Sequence, residues 1–227
     1  MEKFYKESGF GKGFEGNKIS KIEFPYLKDG KIEHIDFLVM KSFRMPCKAK
    51  ESVENYGLAR EAGLKLETNS EHGDNSGMHV YYYDSEKEKV LMSPLNINGW
   101  TALPNSWNYS KDAEKYSGNQ MTIYQQQWEE LIDTFIKEVT KATEKNIHLN
   151  CDCYMIMVRK IDEEFEFDFI IGDYENVKKS EKNKETLKKE NLSQAKIFLL
   201  DFLSTYIDKN NETVLSESLN RISDWRM

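Results

Sequence analysis

Apolar and polar residues alternate through much of the first hundred positions, a pattern that predicts strands. From Lys18 to Tyr26, Ile19, Ile22 and Phe24 interleave with polar neighbours, the period-two signature of a half-buried strand. Lys28-Asp-Gly-Lys31 carries an Asp-Gly turn signal, and Ile32 to Met40 reads as the returning strand. Between Glu51 and Leu64 the spacing becomes helical. Val53, Tyr56, Leu58, Ala59, Ala62 and Leu64 make a partial apolar face, with Gly63 near its end. Met78 to Tyr83 and Lys89 to Met92 predict a second hairpin through Asp84-Ser-Glu-Lys-Glu88. The Pro and Gly of Ser93-Pro-Leu-Asn-Ile-Asn-Gly99 then break regular structure.

The second half opens on a long helix. Trp128, Leu131, Ile132, Phe135, Ile136 and Val139 recur at three- and four-residue spacings within Tyr124 to Lys145. Two strands follow, Tyr154 to Val158 and Phe165 to Ile171, joined through the charged Arg159-Lys-Ile-Asp-Glu-Glu164. A polar stretch from Val177 to Ser193 leads into a last helix, Ala195 to Ile207, rich in Phe and Leu. No internal repeat is present. The expected class is α+β.

Composition bounds the function. A chain of 227 residues suits one ordinary domain or two small lobes sharing a cleft. Hydrophobic residues at 39% and aromatics at 12% supply a packed core. The net charge of −7, with both signs mixed along the chain, argues against a nucleic-acid partner, because no broad basic face offsets phosphate repulsion. The basic stretch Lys178 to Lys189 also holds Glu181 and Glu185, so it reads as a solvated loop or helix. Cys47, Cys151 and Cys153 cannot build a disulfide framework, and Cys151-Asp-Cys153 lacks the second pair that a zinc site needs. No run approaches the roughly 18 apolar residues that would cross a bilayer. The expected location is the cytoplasm, or a host cell reached by export without a cleaved signal.

Candidate chemistry starts near the N-terminus. Gly9-Phe-Gly-Lys-Gly-Phe-Glu-Gly16 is a glycine cluster in which Gly11, Gly13 and Gly16 flank an aromatic, Phe14. Glycines let backbone N–H groups approach phosphate oxygens closely. The cluster precedes a hairpin rather than a crossover helix, which sets aside a dinucleotide-binding turn. Lys41 ends the apolar run Ile35-Asp-Phe-Leu-Val-Met, downstream of that turn. Further on come Lys89-Val-Leu-Met-Ser-Pro-Leu95, His148-Leu-Asn-Cys-Asp152, and Phe167-Asp-Phe-Ile-Ile-Gly-Asp173 after a hairpin.

In that order these motifs resemble the protein-kinase-like superfamily, especially the pared-down kinases of bacterial effectors. The resemblance runs from about residue 9 to about residue 207 and rests on motif order. It implies a two-lobed fold: a β-rich N-lobe over residues 1–95 and a reduced helical C-lobe over 96–227, with a hinge at Ser93 to Gly99. It implies ATP and Mg2+ as cofactors, with Gly11, Gly13, Phe14, Gly16 and Lys41 on the phosphates and Met92 and Leu95 at the adenine. Glu54 is the candidate partner of Lys41, with Glu51 and Glu61 as alternatives, and Asp173 is the metal ligand. His148 takes a supporting place in the catalytic loop. The sequence departs from the family there, because Asn150 falls at the catalytic aspartate and Met155 at the metal-binding asparagine. Asp152, two residues on, is the candidate carboxylate, with Asn150 as its alternative. The implied activity is phosphoryl transfer to a protein hydroxyl. The same fold used as a pseudokinase, a binding or allosteric module, is the second reading. A third drops the kinase for an immunity- or inhibitor-type protein, docking through aromatics such as Trp100, Trp107 and Trp225.

Overall fold

The structure, a computed structural model, describes residues 6–12, 17–28, 31–69, 75–106, 111–118, 121–208 and 217. It is α+β and divides into two compact units, Met1–Glu54 with Gly77–Pro94, and Asn55–Ser76 with Leu95–Met227. The chain therefore passes between them at Glu54/Asn55, Ser76/Gly77 and Pro94/Leu95. The last passage falls in the segment where a hinge is expected. Asn55–Ser76, by contrast, belongs with the second unit.

The first unit is a five-stranded antiparallel sheet in the order β1-β2-β3-β5-β4. Its strands are β1 (Lys6–Lys12), β2 (Lys18–Lys28), β3 (Lys31–Ser42), β4 (Val80–Asp84) and β5 (Lys89–Met92). Strands β2 and β3 pair antiparallel, with Lys28 opposite Lys31. Helix α1 (Lys48–Glu61) follows β3. Its start is held by Glu88, whose carboxylate accepts from the backbone N–H of Cys47 at 2.8 Å and of Ala49 at 3.0 Å, an acidic group at a helix N-terminus. Its end is Gly63 at φ +67°, the left-handed conformation that terminates a helix without a Cβ clash. The sheet's core is Val39, Phe43, Ala49, Val90 and Met92, with Ile19 and Val53 packed on it.

The second unit is built on the antiparallel sheet β6-β8-β9, comprising β6 (Thr101–Leu103), β8 (Tyr154–Ile161) and β9 (Glu164–Ile171). Helix α3 (Gln125–Glu144) buries Trp128, Leu131, Ile132, Phe135 and Val139, the face its spacing predicts. Helix α4 (Lys184–Tyr206) packs beside it. Phe135 lies 3.9 Å from Phe169, 5.4 Å from Tyr154 and 5.9 Å from Phe198 between ring centroids, so an aromatic cluster joins both helices to the sheet. A two-stranded ribbon pairs β7 (Ile147–Leu149) with β10 (Val177–Lys179). A single helical turn, α2 (Lys111–Glu114), completes the described elements.

Two stretches differ from the expectation. Arg159, read as part of a charged turn, lies inside β8, which runs on to Ile161. Its guanidinium sits 4.6 Å from the Trp100 ring centroid and pairs with Glu166 at 2.5 Å, so both ring face and carboxylate compensate its burial. The polar stretch Val177 to Ser193, expected to lead into a helix from Ala195 with a solvated loop or helix over Lys178 to Lys189, holds β10 and the first turns of α4. Asn183 caps that helix by accepting from the Thr186 N–H at 2.9 Å. Leu187, Asn191 and Leu192 then face inward while Lys184, Glu185, Lys188 and Lys189 are exposed. Among the described residues no helix is long and apolar enough to cross a membrane.

Candidate functional site

In the first unit, Gly11 lies near the end of β1, opposite Ile19, just past an irregularity between Gly9 and Gly11. Gly13, Phe14 and Gly16 lie outside the described residues. Lys41 is on the third strand, between Ile19 of β2 and Val90 of β5, and its ammonium lies 4.9 Å from the Phe43 ring centroid. Of the candidate glutamates on α1, Glu54 is exposed and pairs with Lys50 at 3.6 Å, while Glu51 pairs with Lys48 at 2.6 Å. Both ion pairs are within one helical turn, and Glu61 is exposed at the helix end. Met92 is buried against Val39 and Val90 in the sheet's core. Ser93 follows it and ties off the hairpin: its Oγ accepts from the His79 N–H at 2.7 Å and donates to the Gly77 carbonyl at 2.5 Å.

The second unit gathers the rest. After β7 the chain makes a 3-10 turn, Cys151–Cys153, capped by Asn150, whose Oδ1 accepts from the Asp152 N–H at 3.0 Å and from the Cys151 thiol at 3.3 Å. After β9 it makes another, Tyr174–Asn176, capped by Asp173. Here Oδ1 accepts from the Glu175 N–H at 3.3 Å and Oδ2 from the Asn176 side-chain amide at 3.1 Å. The two turns lie against each other. The Gly172 N–H donates to the Cys153 carbonyl at 2.9 Å, and the Asn150 N–H to the Asn176 carbonyl at 3.2 Å. Asn150, Asp152 and Asp173, about 20 residues apart in sequence, thus share one corner, aligned by the β7–β10 ribbon beside them.

Met155 reaches the same corner. A Cβ added to Gly172 would come within 2.5 Å of the Met155 sulfur, so the thioether occupies the space next to Asp173. Met155 and Leu95 are also half-buried against Trp100, Ala102, Met157 and Ile170, an apolar floor running up to the Gly172-Asp173 turn.

Electrostatics narrow what this corner can do. Burial pushes the Cys153 thiol well up, and Asp173 adds to it; burial and then Asp152 push the Cys151 thiol up. Both sulfurs therefore stay protonated, which rules against a thiolate nucleophile. Burial lowers His148, with Lys182 and Lys178 adding to the shift and Glu190 opposing it, so the imidazole is neutral at neutral pH. Tyr174 is buried and packs at a tilt against Tyr56 of α1, 5.1 Å between centroids, and burial drives its hydroxyl well up. It is a wedge behind Asp173, not an acid or base.

Among the described residues no group of three or more His, Cys, Asp or Glu is arranged to hold a metal ion. A structural zinc or calcium cage is therefore not built from them. Magnesium has lower demands on the protein, since it keeps waters and is bound by one or two carboxylates together with phosphate oxygens. The half-exposed Asp173 carboxylate fits that, and the neighbouring thioether of Met155 does not add to it.

No family model, curated protein or solved structure matches this chain. One residue of the corner lies outside the sequence reading altogether. Asn105 is fully buried and its side-chain amide donates to Asp152 Oδ1 at 2.5 Å. Pro104-Asn-Ser106 carries only the mark of a turn, and its placement depends on α4, about 95 residues later.

Proposed function

We propose that this chain is an atypical, minimal protein kinase that transfers a phosphoryl group from ATP, with magnesium, to a protein hydroxyl. The observation that carries the reading is the packing of the Asp173 turn against the Asn150–Asp152 turn, at the ends of β9 and β7. It supplies a carboxylate for the metal and a second carboxylate for the acceptor within one rigid corner. Support also comes from Lys41, on the third strand of a sheet in which β1 and β2 pair antiparallel, as a kinase lysine is placed. The half-buried Leu95 and Met155, backed by buried Met157, suit an adenine face.

In this reading Lys41 and the glycine-cluster backbone hold the phosphates as a point charge and a set of N–H donors. Asp173 holds the magnesium, which neutralises charge on the transferred group when bound. Asp152 orients the acceptor hydroxyl. The acceptor oxygen bonds to the γ-phosphorus as the bond to the β–γ bridging oxygen breaks, ADP leaves, and the hydroxyl proton passes to the Asp152 carboxylate. Positioning and electrostatics supply most of the rate in this chemistry.

The test is a magnesium-dependent rise in melting temperature with ATP, together with label transfer from radioactive ATP to the chain itself or to casein. Lys41→Ala and Asp173→Ala should each abolish transfer and weaken the thermal shift by about tenfold or more in ATP concentration. Absence of any ATP shift in the wild type sinks the reading. A pseudokinase is favoured by one specific feature: Met155 fills the space beside Gly172 where a second metal ligand would stand. That alternative predicts a thermal shift without transfer.

A further inference from the structure

We infer that Asn105 is a positioning residue that aims the Asp152 carboxylate at the acceptor hydroxyl, and that Asn150 is confined to holding the loop. The inference rests on the kinase reading and assigns the work within it.

Asn150 is committed to the loop. Its one acceptor oxygen already receives two hydrogen bonds, from the Asp152 N–H and the Cys151 thiol. That arrangement caps the 3-10 turn and turns the group inward on its own backbone. Asp152 is held differently, from outside its turn, by the Asn105 amide at 2.5 Å.

The amide is itself clamped on both sides by α4. Tyr206 donates its hydroxyl to the Pro104 carbonyl at 3.0 Å. The Ser106 N–H and Oγ both donate to the Asp201 carboxylate at 2.6 Å. The other end of the bond is tied to the same helix, since the Cys151 N–H donates to Gln194 Oε1 at 3.0 Å. Donor and carboxylate are thus held by one rigid element, the arrangement that fixes a functional rotamer.

Stability alone does not account for an asparagine here. Its Oδ1 is buried and receives no hydrogen bond, so an unmade bond at the oxygen offsets part of the stability the Asp152 hydrogen bond contributes. What asparagine provides is a neutral donor. It orients a carboxylate without neutralising it, whereas lysine or arginine would cancel the charge that attracts the acceptor proton. The unpaired Oδ1 also fixes the amide's orientation, because turning it would set oxygen against the Asp152 oxygen.

The experiment compares wild type, Asn105→Ala, Asp152→Ala and the exchange Asn105→Asp/Asp152→Asn, in label transfer to casein at saturating ATP, in ATP KM and in thermal stability. Asn105→Ala should lower kcat about tenfold or more and leave the ATP KM within about twofold, since misaiming a reacting group costs the chemical step. The exchange rebuilds the hydrogen bond with its polarity reversed. It should recover the melting temperature lost in Asn105→Ala but not the transfer rate, because the charge now sits at the wrong position. Full turnover in Asn105→Ala, or in the exchange, overturns the inference while leaving the kinase reading in place. A wild type that binds ATP yet transfers no label overturns the catalytic reading and this assignment with it.

Discussion

Single residues decide how closely the candidate corner is built, and Gly172 is the clearest case. Its φ is outside the left-handed region, so the backbone tolerates any residue there, and what excludes a side chain is space. A Cβ would meet the Met155 sulfur at 2.5 Å and its Cε at 3.2 Å. Gly172→Ala should therefore cost about 1–3 kcal/mol as overpacking, read as a shift of the urea midpoint at constant m. In a Met155→Ala background the same change should cost much less, and additivity of the two would show that they do not compete for the same volume. The site residues themselves were legible to different degrees. Asp173 follows an apolar strand and Lys41 ends one, patterns visible to the eye. Asn105 had no such mark, because its partner Asp152 lies 47 positions away.

At the scale of elements, local pattern located most pieces and missed those whose stability comes from neighbours. The hairpins β2–β3 and β8–β9 and helix α3 carry their own periodicity. β7 and β10 are three residues each, too short to announce themselves, and exist because they pair with one another. The start of α4 was masked by lysines and glutamates that turned out to be the wet face of an amphipathic helix. Buried Asn191 on that helix joins the pieces, accepting from the Leu149 N–H at 2.9 Å and donating to the Ile147 carbonyl at 2.9 Å. His148, between those two residues and opposite Lys178, gives this ribbon a pH dependence. Burial holds its pKa below the ordinary 6.5, so the unfolded chain takes up the proton first. Stability is unaffected above that value, falls as the pH drops below it, and levels off below the folded pKa. His148→Gln should lose less stability than wild type between about pH 7.5 and about pH 5.5, measured by urea unfolding; an identical loss would remove His148 from the account.

For the whole molecule, the division of the chain into units is the main organising fact. Asn55–Ser76 belongs with residues far along the sequence, and a few polar contacts account for this. The Lys65 N–H donates to buried Glu138 at 2.8 Å, the Ile171 N–H donates to the Lys65 carbonyl at 2.8 Å, and the Lys65 ammonium pairs with Asp168 at 3.0 Å. Asp168 also accepts from the Asn69 N–H at 2.7 Å. Asp168→Ala should therefore destabilise by about 1–3 kcal/mol, leaving the largely buried Lys65 ammonium without its carboxylate, and should speed tryptic cleavage at Lys65. Unchanged cleavage would mean the segment is held by its backbone bonds alone.

What the sequence by itself determined is the kind of protein: an α+β chain of strands, helix, strands, helix, hairpin and helix, with a glycine cluster, a strand-end lysine and an aspartate after a hairpin in fixed order. These are local properties, encoded in periodicity and turn chemistry over a few residues. Tertiary structure alone decided which groups meet. It set the Asp173 turn against the Asn150–Asp152 turn, pressed Met155 onto Gly172 and brought Asn105 to Asp152. Those contacts depend on which faces bury together and which buried polar atoms find partners. That satisfaction is settled across the whole unit, between residues whose separation in sequence carries no signal.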